Sequence, residues 1–189
     1  MVLVLASASP RRAELLRQIN VPFSVEPARI DETRLANESP EQYVLRLARE
    51  KAAVVHDRLG RGPVLGSDTS VVLGNKIFGK PNDVTDFTRM FMALSGGTHQ
   101  VMSAVAVVDA EKVETAISVT EVCFRTLSAA DIENYWHTGE PLGKAGGYAI
   151  QGIAATFVAH IKGSYSGVMG LPLFETAALL ETFGVIQAQ

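Results

Sequence analysis

The stretch VLVLASASPRRAELL, residues 2–16, begins as an apolar run and continues with the pattern of a helix. Val2–Ala6 is typical of a short strand that is buried on both faces of a sheet. The Ser9–Pro10 pair favours a helix start immediately afterwards, and the Leu15–Leu16 pair supplies the side of that helix that faces the core. A buried strand that leads directly into a helix indicates an α/β protein.

Further helices and strands alternate along the rest of the chain, and one long hairpin lies among them. Because a hairpin pairs its strands antiparallel, the predicted sheet is mixed rather than purely parallel. The expected elements after the first helix are a helix from Ser39–Pro40 to Gly60, a strand over Val64–Leu73, a helix over Asp83–Leu94, a hairpin of Val101–Val108 and Val113–Phe124, a helix over Ser128–Trp136, a glycine-rich loop over Gly139–Gly152, a strand over Thr156–Ile161 and a helix over Pro172–Phe183.

The composition indicates an ordinary globular protein of 189 residues, 47% of them hydrophobic and 20% charged. We expect residues 1–189 to form one domain that folds without a disulfide or a structural metal. The net charge of −3 disfavours binding to a nucleic-acid polymer, although it allows a basic pocket for one small anion. A single cysteine, Cys123, and the lack of any apolar run near the ~18 residues of a membrane span predict a cytoplasmic protein without membrane segments.

Three basic residues stand at positions that do not suit an isolated positive charge. Arg11 and Arg12 fall in the first turn of the first helix, where the helix dipole opposes a cation. Either both arginines point into water, or a phosphate at the helix N-terminus offsets the repulsion. Lys51 shares the apolar face of its helix with Val44 and Leu47. It therefore either extends to solvent or places its ammonium at the rim of an anion pocket.

Carboxylates occur at two places that could serve chemistry. Asp68 lies in Gly66–Thr69, and we expect this segment to interrupt the strand-like run of Val64–Leu73 because Gly and Asp are poor strand formers. This segment is either a turn or bulge, or a site where Asp68 acts as a base, a metal ligand or both. Asp31 and Glu32 form a second acidic pair in a predicted loop, where such a pair is commonly only solvated. Together, cations and a helix N-terminus suit a polyphosphate, and carboxylates suit the divalent metal that accompanies one.

Eight motifs stand in order along nearly the whole chain: LASASPRRAELL (Leu5–Leu16), the Asp31–Glu32 pair, YVLRLAREKA (Tyr43–Ala52), LGSDTSV (Leu65–Val71), GKPND (Gly79–Asp83), LSGGTHQV (Leu94–Val101), GKAGGYAIQG (Gly143–Gly152) and GSYSGVMGLPLFET (Gly163–Thr176). Each motif is weak alone. Together, at these spacings, they resemble the Maf family of nucleotide pyrophosphatases.

The resemblance implies an α/β fold in which helices flank an elongated mixed sheet and two lobes surround a central cleft, similar to inosine triphosphate pyrophosphatases. It implies cleavage of a nucleoside triphosphate between the α- and β-phosphates, with the help of a divalent cation such as Mg²⁺ or Mn²⁺. It is also compatible with a homodimer.

The roles that the resemblance implies fall on nine residues. Asp68 matches the general base, and Glu32 and Asp68 match the acidic positions near the metal. The substrate-binding positions are those that match the phosphate-binding set, Ser7, Arg11, Lys51 and Lys80, and those linked to substrate choice, Arg12, Thr69 and Gln151.

The expectation about the nucleobase of the substrate rests on Gln151. The GKAGGYAIQG segment resembles the branch that acts on dTTP and UTP, whereas a branch that prefers 7-methyl-GTP tends to have an acidic residue at this position. Thymine and uracil present an N–H donor beside a carbonyl acceptor, and a glutamine amide can match both. Modified pyrimidine nucleotides stay open as substrates. Two alternatives also stay open: the same reaction on 7-methyl-GTP or CTP, and a non-catalytic nucleotide-binding regulator of cell division.

Overall fold

The computed structural model describes residues 2–187, so Met1, Ala188 and Gln189 lie outside the described part of the chain. Two short 3₁₀ helices, Ala145–Gly147 and Ile153–Thr156, accompany the main elements. The main elements, in chain order, are β1 (Leu3–Leu5), α1 (Pro10–Gln18), β2 (Phe23–Val25), α2 (Pro40–Leu59), β3 (Val64–Leu73), β4 (Lys76–Phe78), α3 (Val84–Leu94), β5 (Thr98–Val108), β6 (Val113–Phe124), α4 (Ala129–His137), β7 (Val158–Lys162), α5 (Tyr165–Met169) and α6 (Leu173–Thr182).

Seven strands form one sheet in the order β2-β1-β3-β5-β6-β7, with β4 paired to β3 as well. β1 is parallel to both β2 and β3, and the other neighbouring pairs are antiparallel. The parallel strands follow from the connections through α1 and α2, since each helix returns the chain to the same end of the sheet. The predicted mixed α/β sheet is confirmed.

Local sequence signals set the two ends of α2. The Ser39 side chain accepts a hydrogen bond from the Gln42 N–H, and the Gln42 side chain accepts one from the Ser39 N–H, which is the expected capping box. Gly60 ends the helix in the left-handed conformation, with φ of 66°. Neither α2 nor any other helix within residues 2–187 is long and apolar enough to cross a membrane.

The prediction that Gly66–Thr69 interrupts a strand is wrong. β3 pairs with β5 without a break from Val64 opposite Val108 to Val72 opposite Gln100. Gly66 is required for another reason, because a Cβ at this position would lie 2.1 Å from the backbone O of Ala48 in α2. Asp68 therefore stands in the interior of a strand, and the alternative of a turn or bulge does not apply.

The buried side chains divide the molecule into an aromatic lobe and an aliphatic lobe. In the aromatic lobe, α3 and α4 pack Phe87, Phe91 and Tyr135 against the sheet. In the aliphatic lobe, α2 covers one face of the sheet, while α1 and α6 cover the other. β3 and β5 contribute buried residues to both lobes, so these two long strands join them.

Three of the main elements, all of them short, were not predicted. β2 and β4 have three residues each, which is too short for a recognisable periodic pattern, and α5 has only five. The strand predicted to start at Thr156 starts at Val158, because Ile153–Thr156 forms a 3₁₀ helix.

Candidate active site

One cleft of about 900 Å³ collects side chains from α1, α2, β3 and the neighbouring loops. These residues are far apart in the sequence, so only the fold brings them together. All nine residues predicted for the site line this cleft: Ser7, Arg11, Arg12, Glu32, Lys51, Asp68, Thr69, Lys80 and Gln151.

The acidic cluster consists of Glu32, Lys51 and Asp68. Lys51 Nζ lies 2.7 Å from Glu32 Oε1 and 2.7 Å from Asp68 Oδ1, so one ammonium bridges two carboxylates. Lys51 is 9% exposed, and the Asp68 side chain is 10% exposed. The alternative in which Lys51 extends to solvent is therefore wrong, because two acids hold its ammonium inside the cleft.

The close approach of α2 to β3 places Lys51 beside Asp68. Gly66 and Asp68 are two residues apart in β3, so they face the same side of the sheet. The missing side chain at Gly66 lets the backbone of α2 lie on the strand near Ala48. Lys51 follows Ala48 by three residues, which puts both on one side of α2. The ammonium therefore reaches the carboxylate that follows Gly66 on that face.

Tyr43 supports the acidic cluster, and the sequence analysis missed it. Its hydroxyl donates to the backbone O of Glu32 at 2.9 Å. Burial, followed by the charges of Asp68 and Glu32, raises the pKa of Tyr43, so the hydroxyl keeps its proton near pH 7. Burial also opposes ionisation of Glu32, but the hydrogen bond and charge of Lys51, with the charge of Lys80, lower the pKa of Glu32. The eight-residue spacing of Tyr43 and Lys51, which places them on one face of α2, was the available signal.

Neutral oxygens, rather than a carboxylate, anchor Arg12. Its Nε donates to the backbone O of Gly170 at 2.8 Å, and its terminal nitrogens donate to Ser7 Oγ at 3.2 Å and Thr69 Oγ1 at 3.3 Å. Burial lowers the pKa of Arg12, and the charge of Asp68 opposes this effect. Arg12 does not point into water, as one alternative had it. The fold holds its charge within the cleft.

A chain of hydroxyl groups fixes Thr69 under this guanidinium. Ser103 Oγ donates to the backbone O of Gly167 at 2.6 Å, which uses its only proton. Thr69 Oγ1 lies 2.9 Å from Ser103 Oγ and is therefore the donor in that contact. The lone pairs of Thr69 stay free to accept from Arg12, so Thr69 positions the guanidinium.

The basic cluster consists of Arg11, Arg12 and Lys144. Arg11 Nε is buried and has no hydrogen-bond partner among residues 2–187. Burial, and then the charge of Arg11, lower the pKa of Lys144. Within the described part of the chain, none of the three forms an ion pair with a carboxylate. Because the like charges repel one another, a polyanion in the cleft would stabilise this arrangement.

Lys80 and Gln151 reach the cleft from exposed positions. The Gly146 N–H donates to the backbone O of Gly79 at 2.9 Å, which ties the loop of Gln151 to the residue before Lys80. Both side chains are therefore accessible to a ligand in the cleft.

The acidic cluster also has the donor chemistry for a divalent cation. Glu32 Oε1 and Asp68 Oδ1 contact the same nitrogen, so they are close enough to share one small ion. No third acid, histidine or cysteine within residues 2–187 completes a metal site with them, and Asp31 instead accepts from the Thr33 N–H at 2.9 Å. Mg²⁺ is commonly held by one or two carboxylates plus substrate phosphates and water. The two acids therefore fit a cation that shares its coordination with a phosphate.

A buried pair, His99 and Tyr148, lies where the cleft meets the aromatic lobe. His99 Nε2 is 2.8 Å from the Tyr148 hydroxyl. Burial lowers the pKa of His99 to about 4 and raises the pKa of Tyr148, so both groups are neutral near pH 7. Tyr148 lines the cleft three residues before Gln151, and the pair stabilises this loop through one hydrogen bond and packing.

The chain is similar to known proteins over nearly its whole length. The sequence profile described as Maf-like protein matches residues 2–183, which include all eight motifs. The chain belongs to the Maf family. It is 54% identical over 188 residues to a protein of Xanthomonas euvesicatoria pv. vesicatoria (strain 85-10) named dTTP/UTP pyrophosphatase, covering 97% of this chain and 99% of that protein.

A second curated relative has the same name and a similar degree of identity. The chain is also 53% identical over 181 residues to a protein of Pseudoalteromonas translucida (strain TAC 125) named dTTP/UTP pyrophosphatase. The alignment covers 95% of this chain and 95% of that protein. Among solved structures, the Staphylococcus aureus Ham1 protein aligns with a TM-score of 0.46 at 11% identity, covering 66% of this chain and 72% of that one. The family resemblance carried by the eight motifs is confirmed.

Proposed function

We propose that this Maf-family chain hydrolyses dTTP and UTP to the nucleoside monophosphate and pyrophosphate. Full-length relatives at more than half identity have names that state this activity. The observation that carries the proposal is that the Asp68 carboxylate lies in the same cleft as the basic cluster. A general base beside cations that have no carboxylate partner in the described part of the chain suits hydrolysis of a polyphosphate.

Asp68 is the general base in this mechanism. In the free protein its Oδ1 accepts a hydrogen bond from Lys51, and its carboxylate can accept a proton from water once substrate is bound. The water oxygen bonds to the α-phosphorus, and the bond from that phosphorus to the bridging oxygen breaks. The electron pair of that bond leaves with pyrophosphate, and the proton stays on Asp68.

The basic residues bind the triphosphate and offset the charge that develops on pyrophosphate. Arg12 uses three of its N–H groups on Gly170, Ser7 and Thr69, and its remaining donors can reach a phosphate oxygen. Arg11 and Lys144 form no ion pair with a carboxylate within residues 2–187, so their charges are available to the ligand.

Glu32 and Asp68 are the residues that would hold Mg²⁺ or Mn²⁺. Such an ion, when bound, neutralises phosphate charge and lowers the pKa of a water bound to it. Tyr43 keeps Glu32 at the cleft through the backbone hydrogen bond of 2.9 Å.

A panel of nucleotides tests the proposed activity directly. Pyrophosphate release is measured with dTTP, UTP, CTP, GTP and 7-methyl-GTP, with and without Mg²⁺ or Mn²⁺. The proposal requires the highest kcat/KM on dTTP and UTP. A maximum on 7-methyl-GTP or CTP would change the assigned substrate, and tight binding without turnover would indicate a regulator.

The homodimer and the cytoplasmic location stay predictions.

Gln151→Glu tests which nucleobase the enzyme prefers. A carboxylate has no donor for the carbonyl of thymine or uracil, so we expect the ratio of kcat/KM for dTTP to that for GTP to fall by about tenfold. The exposed Gln18 on α1 provides the control, since Gln18→Glu makes the same chemical change away from the cleft. An unchanged ratio in Gln151→Glu would show that this side chain does not contact the base.

A further inference from the structure

The ammonium of Lys51 occupies the position that a metal ion would need. It lies 2.7 Å from an oxygen of Glu32 and 2.7 Å from an oxygen of Asp68, the two acids suited to a divalent cation. A cation that binds both acids must therefore meet the positive charge of Lys51 at close range.

Lys51 cannot avoid the cation simply by moving into solvent, because only 9% of the residue is exposed. The open direction is the cleft, which Lys51 lines together with Arg12 and Lys80. A triphosphate bound there offers oxygens that can replace the two carboxylates as partners of the ammonium. The charges then balance, since the metal takes the acids while Lys51 takes phosphate.

We propose that Lys51 keeps the metal site closed until a nucleoside triphosphate draws its ammonium away from Glu32 and Asp68. The proposal rests on the proposed function for the identity of the ligand. It states an order of events, in which metal binds well only with nucleotide. Free Mg²⁺ or Mn²⁺ competes poorly with an ammonium that two acids already hold.

The test measures binding of Mn²⁺ in the absence of nucleotide. The electron paramagnetic resonance signal of the free ion reports how much Mn²⁺ is bound. Lys51→Met removes the competing charge, so we expect Mn²⁺ to bind at least about tenfold more tightly than to the unmodified protein. Lys51→Arg keeps the charge and should show no gain. Lys80→Met removes a cation of the same cleft that is not bonded to either acid, so its gain should be below about twofold. Equal gains in Lys51→Met and Lys80→Met, or no gain in either, would overturn the proposal.

A second measurement needs no variant and applies if Lys51→Met does not fold. The ¹⁵N resonance of the Lys51 ammonium is followed in the unmodified protein. It should stay in place with Mg²⁺ alone and shift when an α,β-imido analogue of dTTP is added with Mg²⁺. A shift with Mg²⁺ alone, or none with both, would contradict the proposal. Because neither experiment involves turnover, an inactive protein that gives the expected binding data would disprove only the proposed activity.

Discussion

The acidic cluster and the basic cluster lie in one cleft but are stabilised in opposite ways. In the acidic cluster each charge has an opposite charge 2.7 Å away. In the basic cluster Arg12 donates to neutral oxygens, and a nitrogen of Arg11 has no partner among residues 2–187. The charges of the acidic cluster are therefore balanced in the free protein. The positive charges of the basic cluster are balanced only when an anion binds.

This difference separates two tasks. The acidic cluster holds the base Asp68 and its partner Lys51 at the cleft before substrate arrives. The positive charges of the basic cluster repel one another in the free protein. A bound triphosphate reduces this repulsion, which favours binding. Changes to the acidic cluster should therefore affect kcat, and changes to the basic cluster should affect KM.

Asp68→Asn should produce the largest effect. The amide keeps the shape of the side chain but cannot take a proton from water, so we expect kcat for dTTP to fall about a thousandfold with KM little changed. Pyrophosphate release under saturating dTTP measures this. The exposed Asp57 on α2, whose side chain is 83% exposed, supplies the control, since Asp57→Asn should keep full activity. A KM effect without a kcat effect in Asp68→Asn would remove the distinction between the clusters.

Gly66→Ala should disturb the acidic cluster without touching the basic one. The added Cβ would meet the backbone O of Ala48 at 2.1 Å and push α2, with Lys51, away from β3. We expect the free energy of unfolding in urea to fall by about 3 kcal/mol, and kcat to fall more than KM rises. At Gly97 an added Cβ would meet only an ordinary contact of 3.8 Å, so Gly97→Ala should cost much less. Equal losses in the two variants would mean that helix contact at Gly66 does not matter.

This contact also shows where reasoning from the sequence ends. The start and end of α2 were predictable because Ser39, Gln42 and Gly60 cap the helix through contacts with residues nearby in the sequence. The unbroken strand through Gly66 was not, because the need for glycine comes from Ala48 on another element.

The site shows the same division between local and distant information. Helical periodicity placed Lys51 on the core face, but the two acids that hold it come from a loop and a strand. The backbone O of Gly170, which accepts from Arg12 and Ser67, has no sequence signature, since every residue carries such an oxygen.

Arg12→Lys should weaken substrate binding by an intermediate amount. One ammonium cannot reproduce the planar set of donors that contacts Gly170, Ser7 and Thr69. We expect KM for dTTP to rise about tenfold, which corresponds to roughly 1.4 kcal/mol, while kcat changes little. Arg17→Lys, at an exposed position on the same helix, should leave both constants unchanged. A loss confined to kcat in Arg12→Lys would place Arg12 with the acidic cluster.

Lys144→Met should give the smallest effect, and its pH dependence is the informative part. Lys144 is one of several cations in the cleft, so its loss should raise KM only about threefold. Burial and the charge of Arg11 lower the pKa of Lys144 below that of an ordinary lysine. As the pH rises, Lys144 therefore loses its proton earlier than an ordinary lysine would, and KM of the unmodified enzyme should rise with this loss of charge. Lys144→Met should lack this alkaline rise in KM, whereas Lys162→Met, at an exposed position on β7, should retain it. If the rise persists in Lys144→Met, a group other than Lys144 controls binding at high pH, and loss of the Lys144 proton does not weaken binding.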